Sequence, residues 1–151
     1  MIAILLSAVI LAADHSAIAK SYIAVNNYKG AEQEAKLAVQ AAPKSGDAHR
    51  LLGTVYSLNK NLTAAIAEFQ TAIKLNPKDA NARYNLGVAY SKLGQFADAV
   101  KWLSSAIALN PKDAAAFEYR ATAYEKLGNT KAALADRQTA TSLKKKTEQL
   151  Q

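Results

Sequence analysis

A 34-residue register runs through this chain and constrains its fold more than any other feature. Tyr22, Tyr56, Tyr90 and Tyr124 are spaced by it, and so are Pro43, Pro77 and Pro111. Ala31, Ala65, Ala99 and Ala133 keep the same interval, as do Ala38, Ala72, Ala106 and Ala140. Gly53 and Gly87 fall on it too, with Ala19 and Ala121 at the equivalent places. Small, aromatic and helix-ending residues that hold one frame through four units predict stacked helical hairpins.

Within a unit the apolar residues recur at helical spacing. In the third, Ala82, Leu86, Val88, Ala89 and Leu93 mark a first helix, and Phe96, Ala99, Val100, Leu103, Ala106 and Ile107 mark a second. Gly94 between them suits the left-handed conformation that closes a helix. Gly128 repeats it in unit four and Asn26 stands there in unit one. Between units the chain spells Asn76-Pro77-Lys78-Asp79 and Asn110-Pro111-Lys112-Asp113. Proline stops the preceding helix, and Asp79, Asp113 and the equivalent Ser45 are placed to cap the next. Leu11, at the same point before unit one, cannot cap.

These residues resemble the tetratricopeptide repeat family, whose pattern runs Leu-Gly-x-x-Tyr, then Ala and an aromatic, then Ala, then Pro. Leu52, Gly53, Tyr56, Ala65, Phe69, Ala72 and Pro77 follow it, and so do Leu86, Gly87, Tyr90, Ala99, Ala106 and Pro111. The resemblance implies an all-α, right-handed superhelical solenoid of antiparallel helix pairs. The organisation predicted is an apolar segment over 1–13, repeats across 14–147 and a tail over 148–151. The repeat units are about 12–45, 46–79, 80–113 and 114–147. Arg120 and Arg137 replace the apolar residues of units two and three, which predicts a polar outer face where the stack ends. Lys144, Lys145 and Lys146 suit a solvated helix end.

Ile2 to Ala13 carries no charge. As a helix it would extend about 18 Å, against about 30 Å for a bilayer core. Three readings remain open: the apolar core of a secretion signal, a retained helix that docks or self-assembles through Ile2, Ile4, Leu5, Leu6, Val9, Ile10 and Leu11, and a cap folded over unit one. The first two favour an exported, periplasmic, cell-surface or membrane-associated protein over a cytoplasmic one, with a homo-oligomer and membrane association through residues 1–13 among the outcomes.

Nothing in the chain gathers into a catalytic or metal site, so no enzyme activity, cofactor or metal is expected. There is no Cys, no phosphate loop and no His-Glu-x-x-His motif. The two histidines, His15 and His49, are one period apart, which points to a repeated structural role. The net charge of +7 leans toward the C-terminal half; it suits solubility, and no nucleic-acid partner is expected. The resemblance instead implies a protein-interaction scaffold whose first helices line a concave groove. Asp47, Arg50, Thr54, Tyr84, Asn85, Val88, Lys92, Glu118, Tyr119 and Thr122 take the groove positions. Arg50 could grip a carboxylate, Asn85 a peptide backbone, and Tyr84 and Tyr119 offer contact area with polar tips. Lys92 and Glu118 complete the set. The family's two-carboxylate clamp is absent in either frame. Trp102 stands where other units carry Glu34, Glu68 and Asp136, a position these carboxylates mark as wet, and it is a candidate for contact on the convex face. The alternative function is a structural subunit that assembles into an oligomer or filament through its apolar N-terminal helix.

Overall fold

A computed structural model describes the backbone of residues 2–149 and the side chains of residues 10–149. Among these residues all regular structure is α-helical. The helices are α1 (Ile2–Ala24), α2 (Tyr28–Ala41), α3 (Gly46–Leu58), α4 (Leu62–Leu75), α5 (Ala80–Lys92), α6 (Phe96–Leu109), α7 (Ala114–Lys126) and α8 (Thr130–Glu148). They pair as α1/α2, α3/α4, α5/α6 and α7/α8, so the all-α architecture of antiparallel hairpins stands. The chain divides between Pro77 and Lys78 into two compact units, each holding two hairpins.

The punctuation works as the register predicts. Ser45 Oγ accepts from the Ala48 N–H at 3.2 Å, Asp79 Oδ1 from Ala82 at 2.9 Å, and Asp113 Oδ1 from Ala115 and Ala116 at 3.0 and 3.3 Å. Each satisfies donors that a helix start leaves orphaned. With no stop before unit one, α1 runs unbroken for 23 residues. Residues 2–13 thus extend the helix that bears Tyr22, which is at odds with a segment turned back as a cap. No described helix is long and apolar enough to cross a membrane.

The turn inside each hairpin follows one recipe. Asn26, Lys60, Gly94 and Gly128, one period apart, all have positive φ, from 58° to 79°. The next residue caps the second helix: Asn27 accepts from Gly30 N–H, Asn61 from Ala64 and Asn129 from Ala132. Gln95 holds that place in the third hairpin and makes no side-chain cap bond. Lys60 is the position sequence inspection misses, because a lysine gives no sign of left-handed backbone.

Packing inside a hairpin rests on matched sizes. The register alanines of the second helices (Ala31, Ala65, Ala99, Ala133 and Ala38, Ala72, Ala106, Ala140) are all buried. A Cβ on Gly53 would stand 2.7 Å from the Phe69 ring, and one on Gly87 2.6 Å from Leu103 Cγ. At the places equivalent to these glycines, units one and four carry Ala19 and Ala121, and their counterparts of Phe69 and Leu103 are Ala35 and Arg137. Glycine therefore faces a bulky partner, and alanine faces either alanine or a side chain that reaches outward (Arg137 is exposed).

A polar latch also ties the two helices of a hairpin, and it corrects the sequence reading at two points. Glu34, Glu68 and Asp136 are not solvated carboxylates. His15 Nδ1 lies 2.6 Å from Glu34 Oε2, and His49 Nδ1 lies 2.6 Å from Glu68 Oε2. Residues 19 apart meet across the turn, and the carboxylates are mostly shielded there. In the last hairpin Phe117 takes the histidine's place. Arg120 grips Asp136 instead through Nε and Nη2, both at 2.7 Å, and Ser104 through Nη1 at 2.9 Å. Arg120 is thus no part of a solvated end face: its side chain is 17% exposed and that of Asp136 9%. The Asp136 hydrogen bonds hold the guanidinium above its ordinary pKa against the opposing effect of burial. Arg137 does lie exposed, paired with Glu125.

Candidate functional site

The residues proposed for binding fall in both units. In the first, Arg50 on α3 donates from Nη2 to Asp47 Oδ1 at 2.6 Å, and Thr54 Oγ1 donates to the Arg50 carbonyl at 2.9 Å. The Arg50 side chain is 30% exposed and that of Asp47 81%. Beside them opens a hollow of about 340 Å³ lined by Ala12, Ala13, Ser16, Ala42, Ser45, Asp47 and Ala48. Ser16, one of its lining residues, stands where later units carry Arg50, Tyr84 and Glu118. That small residue in a row of large ones was visible in the register, yet it draws no attention there as a cavity.

In the second unit the structure brings several of the predicted residues together. Tyr84 on α5 and Tyr119 on α7 meet edge-to-face, with centroids 5.8 Å apart and planes at 80°. Such pairs add stability beyond their buried area. Burial, then the nearby Tyr119, Asp113 and Glu118, pushes the Tyr84 phenol up to a pKa of about 12. A phenol is a protonated donor through the neutral range in any case, and the shift extends that state to higher pH. Glu118 adjoins Tyr119 and accepts from Lys144 Nζ at 2.5 Å. That link from α8 is one the sequence does not announce, since 26 residues separate the partners. Asn85 is half-buried on α5, and Lys92 is exposed at its end.

The other predicted positions divide. Trp102 is half-buried in the row of latch carboxylates, with the Lys101 ammonium 5.6 Å from its ring centroid. Ile10 and Leu11 on α1 are 55% and 50% exposed. The side chains of Ile2, Ile4, Leu5, Leu6 and Val9 lie outside the described residues. Among the described residues no group of His, Cys, Asp and Glu could hold a metal ion.

Hairpins punctuated by a proline and a capping Ser or Asp, and packed through matched small and large residues, define a helical-repeat solenoid protein. Family models agree on which one: residues 53–94 match a TPR repeat model and residues 80–113 a tetratricopeptide repeat model. Residues 53–113 therefore carry tetratricopeptide repeats. The chain is similar to the crystal structure of MamA, with a TM-score of 0.84 and 25% identity over 91% of this chain and 81% of that one. It is also similar to YrrB, described as a TPR protein with an unusual peptide-binding site, with a TM-score of 0.77 and 25% identity over 87% of this chain and 68% of that one. No curated protein matches the chain in sequence.

Proposed function

We propose that the chain is a non-catalytic interaction scaffold that binds a peptide or protein partner through its first helices, at Arg50, Tyr84, Asn85, Lys92, Glu118 and Tyr119. The observation that carries this reading is the Tyr84–Tyr119 pair, which sets two aromatic residues in contact on neighbouring first helices. Tyrosine presents large contact area at little entropic cost. The description of YrrB as peptide-binding supports the same class of function. The test is a pull-down from the source cell with the Arg50→Ala/Asn85→Ala double variant, its helical content checked by circular dichroism. Loss of the partners captured by the unaltered chain is expected; recovery of the same partners would place binding elsewhere.

A second reading has its own support. The unbroken α1, with Ile10, Leu11 and Ile18 exposed, suits a helix that assembles copies of the chain or holds it at an exported or membrane-associated location. Intact mass combined with native mass spectrometry separates the outcomes. An untrimmed oligomer that dissociates on Leu11→Lys supports assembly, and a trimmed monomer removes it.

A further inference from the structure

Two carboxylates lie near the Tyr84–Tyr119 pair. Asp113 caps α7 and Glu118 lies one residue before Tyr119, and both carboxylates act on the Tyr84 phenol through their charge. Tyr119 is 38% exposed. Glu118 Oε1 accepts from Lys144, while among the described residues its Oε2 has no partner. The bridge to Lys144 lies at the surface, with side chains 55% and 48% exposed, so it is readily exchanged.

We infer that Tyr84, Tyr119 and Glu118 form a seat for one cationic side chain, arginine or lysine, of a peptide partner, and that Lys144 is the resident cation such a side chain displaces. An aromatic face and a carboxylate both favour a positive charge, the first through its quadrupole and the second through charge-assisted hydrogen bonds. The chain's own charge narrows the partner further. At +7 overall, its long-range field repels a basic run, so the fitting ligand carries an isolated cation among neutral residues. This inference rests on the binding role proposed above for the first helices, whose substrate class it specifies.

The experiment uses N-acetylarginine amide as probe and N-acetylcitrulline amide as its neutral isostere, with the tyrosine ring signals of the full chain followed by NMR. The arginine probe is expected to shift the Tyr84 and Tyr119 rings saturably and the citrulline probe to leave them in place. Glu118→Gln should weaken binding and Lys144→Gln should tighten it, each by roughly two- to five-fold, the range of an exposed charge contact. The opposed signs matter because a purely structural bridge would give both variants the same effect. Equal shifts from both probes, or a common direction for the two variants, overturns the inference. If Arg50→Ala/Asn85→Ala abolishes partner capture while the arginine probe leaves both rings unmoved, the cation seat falls and the groove stands. If the probe binds with the opposed signs while partner capture ignores every groove change, the seat stands and the groove reading falls.

Discussion

The two compact units answer the same structural demands with different side chains. In the first, residues of limited fitness close the turns: Asn26 and Lys60 carry the left-handed backbone, and His15 and His49 latch the helices. In the second, Gly94 and Gly128 close the turns at no steric cost, and of the ion pairs between α7 and α8 the shielded one is Arg120–Asp136, while Arg137–Glu125 and Lys144–Glu118 lie at the surface. The second unit therefore has the easier backbone and concentrates its polar risk in a single residue. The first spreads smaller costs over several positions. A repeat, on this comparison, conserves geometry more strictly than chemistry.

The largest effect that would break this contrast comes from Arg120. Arg120→Ala leaves a shielded Asp136 without its partner and should cost about 3–5 kcal/mol. His49→Ala, which takes the imidazole from the Pro43 carbonyl and from Glu68, a carboxylate more exposed than Asp136, should cost only about 1–2 kcal/mol. Urea titration of both variants checks the ranking, and equal losses would erase the distinction between the latches. Next comes packing. Gly53→Ala drives a methyl into the Phe69 ring and should cost about 1–3 kcal/mol, even though alanine favours helix. Adding Phe69→Ala recreates the Ala19/Ala35 match, so a double-mutant cycle should show strong favourable coupling. Additive losses would mean that size matching is not what fixes the hairpin.

Smaller effects should sharpen the comparison of turns. Lys60→Gly relieves a left-handed lysine and should stabilise by about 1 kcal/mol, read as a rise in the thermal midpoint. Gln95→Asn installs the cap that the other three hairpins have and should add about 0.5–1 kcal/mol. Hydrogen exchange at the first turn of α6 should slow with it, and unchanged exchange would mean that the turn does not need that bond.

Much of the architecture was legible because the register records backbone requirements. Proline, capping Asp and Ser, and buried alanines each have a local reason that survives any tertiary context. The latches were not legible in the same way. Glu34, Glu68 and Asp136 look solvated along one helix, and only the return of the neighbouring helix shows the histidines and Arg120 facing them. Lys60 hid a left-handed turn behind a side chain that signals nothing about φ. For the candidate site, the family resemblance made Tyr84 and Tyr119 candidate groove positions but could not pair them, because they occupy non-equivalent places in their repeats. Glu118 was found without its partner, since Lys144 comes from the far end of α8.

The match of Gly53 to Phe69 and of Ala19 to Ala35 bears on how such chains can be rebuilt. Transplanting α3 alone into the first hairpin would set glycine opposite alanine and open a void, and moving α1 into the second would force a methyl into an aromatic ring. Moving α3 with α4 carries both halves of the fit. The interchangeable module of this molecule is thus the hairpin and not the helix, and recombination that cuts inside a turn inherits a mismatch that recombination between Pro77 and Asp79 avoids.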